Sequence, residues 1–154
     1  MAKAVAGALR DAGFRAGIIL ARNESTGQQL ARTYRYAWRA NLGDARPGLL
    51  INATPVGMAG GPEAEKLAFE PAVIERVQVV LDVVAVPPET PLVRCAKEAG
   101  KAVITGTEVI ALQAAEQFAL SPACGRPRRR PAAPPSMRAI DVRAPRRQRP
   151  HDRR

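Results

Sequence analysis

At 154 residues the chain can bury one moderate core and is too short for two full domains. With 46% hydrophobic but only 4% aromatic residues, that core must be built from Ala, Val, Leu and Ile. The net charge of +10 is uneven: Ser121 to Arg154 holds 11 of the 24 basic and 2 of the 14 acidic residues, leaving 13 against 12 in Met1 to Leu120. The lone histidine, His151, lies in the basic segment, which excludes a histidine-based centre from the body.

Ala2 to Ala12 are helix formers with Val5, Ala8, Leu9 and Ala12 on one face, ended by Gly13. Ala16 to Ala21 is a short apolar run with the look of a strand buried on both faces. Ser25 is placed to cap a helix running to about Thr33, and Tyr34 to Ala40 to form a short strand. Asn41 to Gly48 is turn-rich. Leu49 to Asn52 reads as a buried strand and Ala53 to Pro62 as a glycine- and proline-rich loop. Pro71 opens a short helix to about Arg76, and Val77 to Val84 is a β-branched strand. Thr90 or Pro91 starts a helix that Gly100 ends; Ala102 to Ile104 is a strand, and Gly106 leads a helix through Leu120.

Strands alternating with helices over short connections predict an α/β fold with a parallel sheet covered by helices. In a doubly wound nucleotide-binding fold the first helix follows a strand and a glycine-rich turn. Here only Met1 precedes it, so the expected fold is an incomplete Rossmann-type sheet over 1–120. A sheet lacking a central strand would expose unpaired backbone and apolar faces, which predicts self-association.

Three segments in order, Asn52-Ala53-Thr54-Pro55-Val56-Gly57-Met58, Asp82 to Leu92 (DVVAVPPETPL) and Gly106 to Phe118 (GTEVIALQAAEQF), resemble the C-terminal, NADP-binding half of the shikimate dehydrogenase family. The resemblance covers Met1 to Leu120. It implies an oxidoreductase that interconverts 3-dehydroshikimate and shikimate, or handles a related quinate or aminoshikimate substrate, with NADP or, in some relatives, NAD. The family's catalytic Lys–Asp pair belongs to an N-terminal domain not found in this sequence. A cofactor part that is inactive alone is therefore implied, and no catalytic residue is assigned.

The same resemblance assigns cofactor contacts to Arg22, Asn23, Thr54, Val83 and Gly106, and a substrate contact to Gln113. Arg22 matches the arginine of the family's Asn-Arg-Thr motif, and a guanidinium can grip a 2′-phosphate through two hydrogen bonds. Asn23 stands where the family has Thr, and Thr26 where many members have a second cation, so the clamp is half present. Asn52 to Thr54 lie at a strand's C-terminal end, where open α/β sheets bind ligands. Ala85 stands where many members carry a substrate-binding Tyr. Without the resemblance, Arg22 and Gln113 read as solvated surface residues, Asn52 as a turn residue, and Asp82 as a group that fixes loop geometry. Glu63, Glu65 and Glu70 are expected to face solvent.

Ser121 to Arg154 has 7 of the 14 prolines and no apolar periodicity, which predicts a disordered tail. One reading makes it an arm for nucleic acid or an acidic membrane, although no aromatic is interleaved with its arginines. The other makes it out-of-frame text from a GC-rich gene. Family members continue the last helix with an aromatic, Thr and Gly. Tyr-Thr-Gly-Val-Arg-Pro in GC-rich codons, read after one deleted base, becomes Ser-Pro-Ala-Cys-Gly-Arg, the text of 121–126. Two unpaired cysteines, Cys95 and Cys124, in no metal or redox spacing favour a reducing cytoplasm, and no apolar run reaches membrane-spanning length. No cleavable signal pattern is read at the N-terminus. Alternatives to the dehydrogenase fragment are a partner-dependent enzyme whose catalytic domain is encoded separately, a non-catalytic cofactor-binding module and a basic-tailed nucleic-acid binder.

Overall fold

The computed structural model describes residues 1–120. Helix α1 (Ala2–Asp11) leads into β1 (Ile18–Leu20), α2 (Glu24–Tyr34) and β2 (Ala37–Arg39). Then come β3 (Leu49–Asn52), α3 (Pro71–Ile74), β4 (Val79–Asp82), α4 (Pro91–Glu98), β5 (Ala102–Ile104) and α5 (Gly106–Leu120). The alternation and the strands near 49, 79 and 102 are those the sequence predicts. The charged tail, with its expected disorder and its two readings, lies outside the described residues.

All pairings are parallel, but they form two sheets. β1 pairs with β2, with Ile18 opposite Ala37, and a second sheet has the order β3-β4-β5. Among the described strands, β1 and β3 are each paired on one side only. Those are the two strands between which a doubly wound order places its first strand. The incomplete sheet expected from the sequence thus takes the form of two separately hydrogen-bonded pieces.

The core belongs to the larger sheet. Leu50, Ile74, Val77, Val80, Leu92 and Ala96 form one buried cluster, flanked by Leu67, Phe69, Val73 and Val103. Val79 and Val93 are buried as well, so β4 is covered on both faces, as parallel strands are. Burying a side chain such as Ile74, Val80 or Leu92 contributes roughly 1.5–3 kcal/mol. In the smaller sheet Ile18, Ile19 and Leu20 are all half-buried.

Several local expectations shift. Helix α2 is capped by Asn23, whose side chain accepts from the Thr26 amide at 2.9 Å, and not by Ser25. An Asn two residues earlier takes the extended N-cap conformation, and Ser25 is carried into the first turn. Tyr34 completes α2 rather than opening a strand; Arg35, at φ 56°, turns the chain into β2. Strand β4 stops at Asp82 rather than Val84, because the Asp82 carboxyl accepts from the Val84 amide and bends the chain away. Helix α4 starts at Pro91, one of the two expected starts, and Thr90 caps it, accepting from the Val93 amide at 3.2 Å.

Candidate functional site

Parallel strands bring their C-terminal ends to one edge of a sheet. The β3–β4 register sets Asn52 directly beside Asp82 at that edge. Both are buried, with relative exposures of 1% and 0%, and a buried polar pair must satisfy its hydrogen bonds.

It does so by organising the loops. Asn52 Nδ2 donates to Asp82 Oδ1 at 3.0 Å and to the Val56 carbonyl at 3.1 Å. Asn52 Oδ1 accepts from the Thr54 amide at 3.1 Å and from Thr54 Oγ1 at 2.6 Å. Asp82 Oδ1 accepts from the Val84 amide at 3.0 Å, and Oδ2 from Thr90 Oγ1 at 2.6 Å. The Val83 amide donates to the Asn52 carbonyl at 3.0 Å. The turn after β3, the loop after β4 and the start of α4 are thereby one hydrogen-bonded block. Gly57, at φ 87°, and the Ala59 amide donating to the Val86 carbonyl at 2.9 Å extend it.

Gly106 begins α5 beneath this block. A Cβ there would lie 2.6 Å from the Val83 carbonyl oxygen and would also strike that of Val84, so only glycine allows the helix start to approach. Thr105 and Glu108 form a reciprocal capping box. Glu108 Oε2 accepts from the Thr105 amide at 2.7 Å, and Thr105 Oγ1 from the Glu108 amide at 3.3 Å. The sequence carries that signal as Thr-x-x-Glu at 105–108.

Arg22 follows β1. Its Nη2 donates to both carboxylate oxygens of Glu63, at 2.8 and 2.7 Å. Lys66 Nζ approaches the same carboxylate at 3.4 Å. The Arg22 hydrogen bond holds the Glu63 carboxyl below the usual carboxylate range; partial burial opposes it, and Lys66 adds to it. The expectation that Glu63 faces solvent is therefore corrected, whereas Glu65 and Glu70 are exposed. The pairing spans 41 residues and leaves no local sequence signal.

The structure thus gathers Thr54, Val83 and Gly106 into one cluster. Arg22 and Asn23 stand apart, joined to it through Glu63, whose backbone carbonyl accepts from the Gly57 amide at 3.0 Å. Gln113 is exposed on α5, about 10 Å along the helix axis from Gly106. The side chain of Thr54 is spent within the loop, as is the oxygen of Asn23, so what these two offer a ligand is backbone and the Asn23 amide nitrogen. Asn52, Asp82 and Thr90 are buried and hold the loops.

No family model matches the chain. A shikimate dehydrogenase-like protein of Haemophilus influenzae is 48% identical over 120 residues, which are 78% of this chain and 44% of that one. A solved shikimate 5-dehydrogenase-like protein superposes with a TM-score of 0.78 at 45% identity, covering 83% of this chain and 48% of that one. Shikimate 5-dehydrogenase of Thermus thermophilus, solved with NADP(H) and shikimate, does so with a TM-score of 0.67 at 31% identity, covering 79% and 45%. The chain spans about half the length of these relatives or less. Over the stretch it shares with them, the chain is homologous to the shikimate dehydrogenase family.

Proposed function

We propose that residues 1–120 are the cofactor-holding part of a shikimate dehydrogenase-like oxidoreductase that uses NADP. The observation that carries this is the buried Asn52–Asp82–Thr90 block, which fixes two loops at the strand ends where open α/β sheets receive ligands. Arg22 would hold the adenosine 2′-phosphate, with Asn23 beside it. The backbone at Thr54, Val83 and Gly106 would seat the nicotinamide end, and Gln113 would reach a substrate hydroxyl. NADP supplies a hydride acceptor when bound. The chain's own residues bind and orient; the proton-moving Lys–Asp pair would come from the family's substrate domain.

The substrate is then a shikimate-like polyol acid, and the compartment the cytoplasm. Among the described residues no helix is long and apolar enough to cross a membrane. The one-sided pairing of β1 and β3 supports self-association through the sheet edges.

Titrating the full chain with NADPH, followed by nicotinamide fluorescence, tests the binding role. Saturable binding with no shikimate oxidation by the chain alone is expected; no binding at millimolar NADPH overturns it. Size-exclusion chromatography tests the association: a monodisperse, cooperatively melting monomer overturns that part.

A further inference from the structure

The group facing Arg22 is a carboxylate held by the protein itself. Glu63 receives two hydrogen bonds from one guanidinium nitrogen, at 2.7 and 2.8 Å, and a third from Lys66 Nζ at 3.4 Å. A doubly bonded anion on that guanidinium is what a 2′-phosphate would also be. Two anions, one with about −1.5 to −2 charges near neutral pH, cannot share a single guanidinium without repulsion.

Which partner yields follows from their mobility. The Arg22 side chain is 76% exposed and has room to turn; that of Glu63 is 20% exposed. The Glu63 backbone is pinned as well, its carbonyl accepting from the Gly57 amide at 3.0 Å and the Lys66 amide at 3.1 Å. Lys66 Nζ, at 3.4 Å, stays beside the carboxylate if Arg22 leaves. Glu63 is thus a fixed anion and Arg22 the movable arm.

We propose that Glu63 sets the discrimination between phosphorylated and unphosphorylated dinucleotides, by competing with the 2′-phosphate for Arg22. This rests on the cofactor role of Arg22 proposed above. A carboxylate beside a ribose is also an acceptor for a free 2′-hydroxyl, the contact that favours NAD in dinucleotide folds. Glu63 therefore acts on both sides of the choice: it weakens the hold on a 2′-phosphate and offers a bond to a 2′-hydroxyl.

The test uses the full chain and two probes, 2′,5′-ADP and 5′-ADP, titrated calorimetrically into the parent chain, Glu63→Gln and Arg22→Ala. Glu63→Gln keeps the shape and removes the charge; a melt of each variant confirms folding. With its competitor uncharged, Arg22 is free for the phosphate, so Glu63→Gln should tighten 2′,5′-ADP by about three- to fivefold. 5′-ADP should bind no more tightly than before. Unchanged or weaker 2′,5′-ADP binding in Glu63→Gln, with Arg22→Ala still weakening it, overturns the role of Glu63 and leaves the cofactor reading standing. Absence of binding by either probe to all three chains at millimolar concentration overturns both.

Discussion

Asn52 and Asp82 sit side by side at the ends of β3 and β4, joined at 3.0 Å with almost no exposed surface. Between them their side chains satisfy three backbone groups of the following loops and the hydroxyls of Thr54 and Thr90 beyond their own bond. Replacing Asp82 by Ala leaves the Val84 amide and the Thr90 hydroxyl without their acceptor and the Asn52 amide with only the Val56 carbonyl. A loss of about 2–4 kcal/mol is expected. Asp82→Asn keeps one acceptor oxygen and should cost less; urea denaturation of both variants checks the order.

Gly27 lies under the only tryptophan. A Cβ there would stand 2.6 Å from Trp38 Nε1 and 2.8 Å from the Ala21 Cβ. Alanine is the better helix former by about 1 kcal/mol, but overpacking costs about 1–3 kcal/mol. With ring, helix and strand in contact, overpacking should win. Gly27→Ala should lower the melting temperature and shift Trp38 emission, while Gly13→Ala, where a Cβ meets nothing, should leave Trp38 emission unchanged.

Asn23 combines a helix cap with a proposed place beside the cofactor. Asn23→Ala removes the acceptor for the Thr26 amide and should cost about 1 kcal/mol. Asn23→Ser can still cap but loses the side-chain amide. Stability retained in the Ser variant with weaker NADPH binding would separate the two roles; equal affinity in all three would confine Asn23 to the cap.

Glu63 should also mark the acid limb of stability. Its folded carboxyl titrates below the ordinary value of 4.5, chiefly because of Arg22. Its contribution is therefore present above the unfolded value and is lost as pH falls through the lower folded one. The melting-temperature gap between the parent chain and Glu63→Gln should be widest near neutral pH, narrow as pH falls below the ordinary value, close below the lower folded one, and shrink in high salt. A gap unchanged across that range would show that the pair adds nothing to folding.

The elements legible in the sequence are those that local chemistry defines. Leu49–Asn52 is bounded by Gly48 and a turn-forming Asn, and Ala102–Ile104 lies between Gly100 and Gly106, so both strands are read with their observed ends. Asn52, Thr54, Val83 and Gly106 were legible through a motif and do converge. Pairing across long separations was not. The Arg22–Glu63 contact joins residues 41 apart, and the buried state of Asp82 and Thr90 depends on sheet register and on α4 folding back. The cap of α2 went to Asn23 over Ser25 because both are good caps and only the backbone turn after β1 decides between them.

The division into a two-stranded and a three-stranded sheet also orders the chain in time. Among the described strands β4 alone has a paired strand on each side, whereas β1 is paired only with β2. Local openings that release β1 need not disturb β4. In deuterated water the amides of Ile18 to Leu20 should exchange early and that of Val80 among the last. A protease should meet the half that carries Arg22 well before the half that carries Glu63.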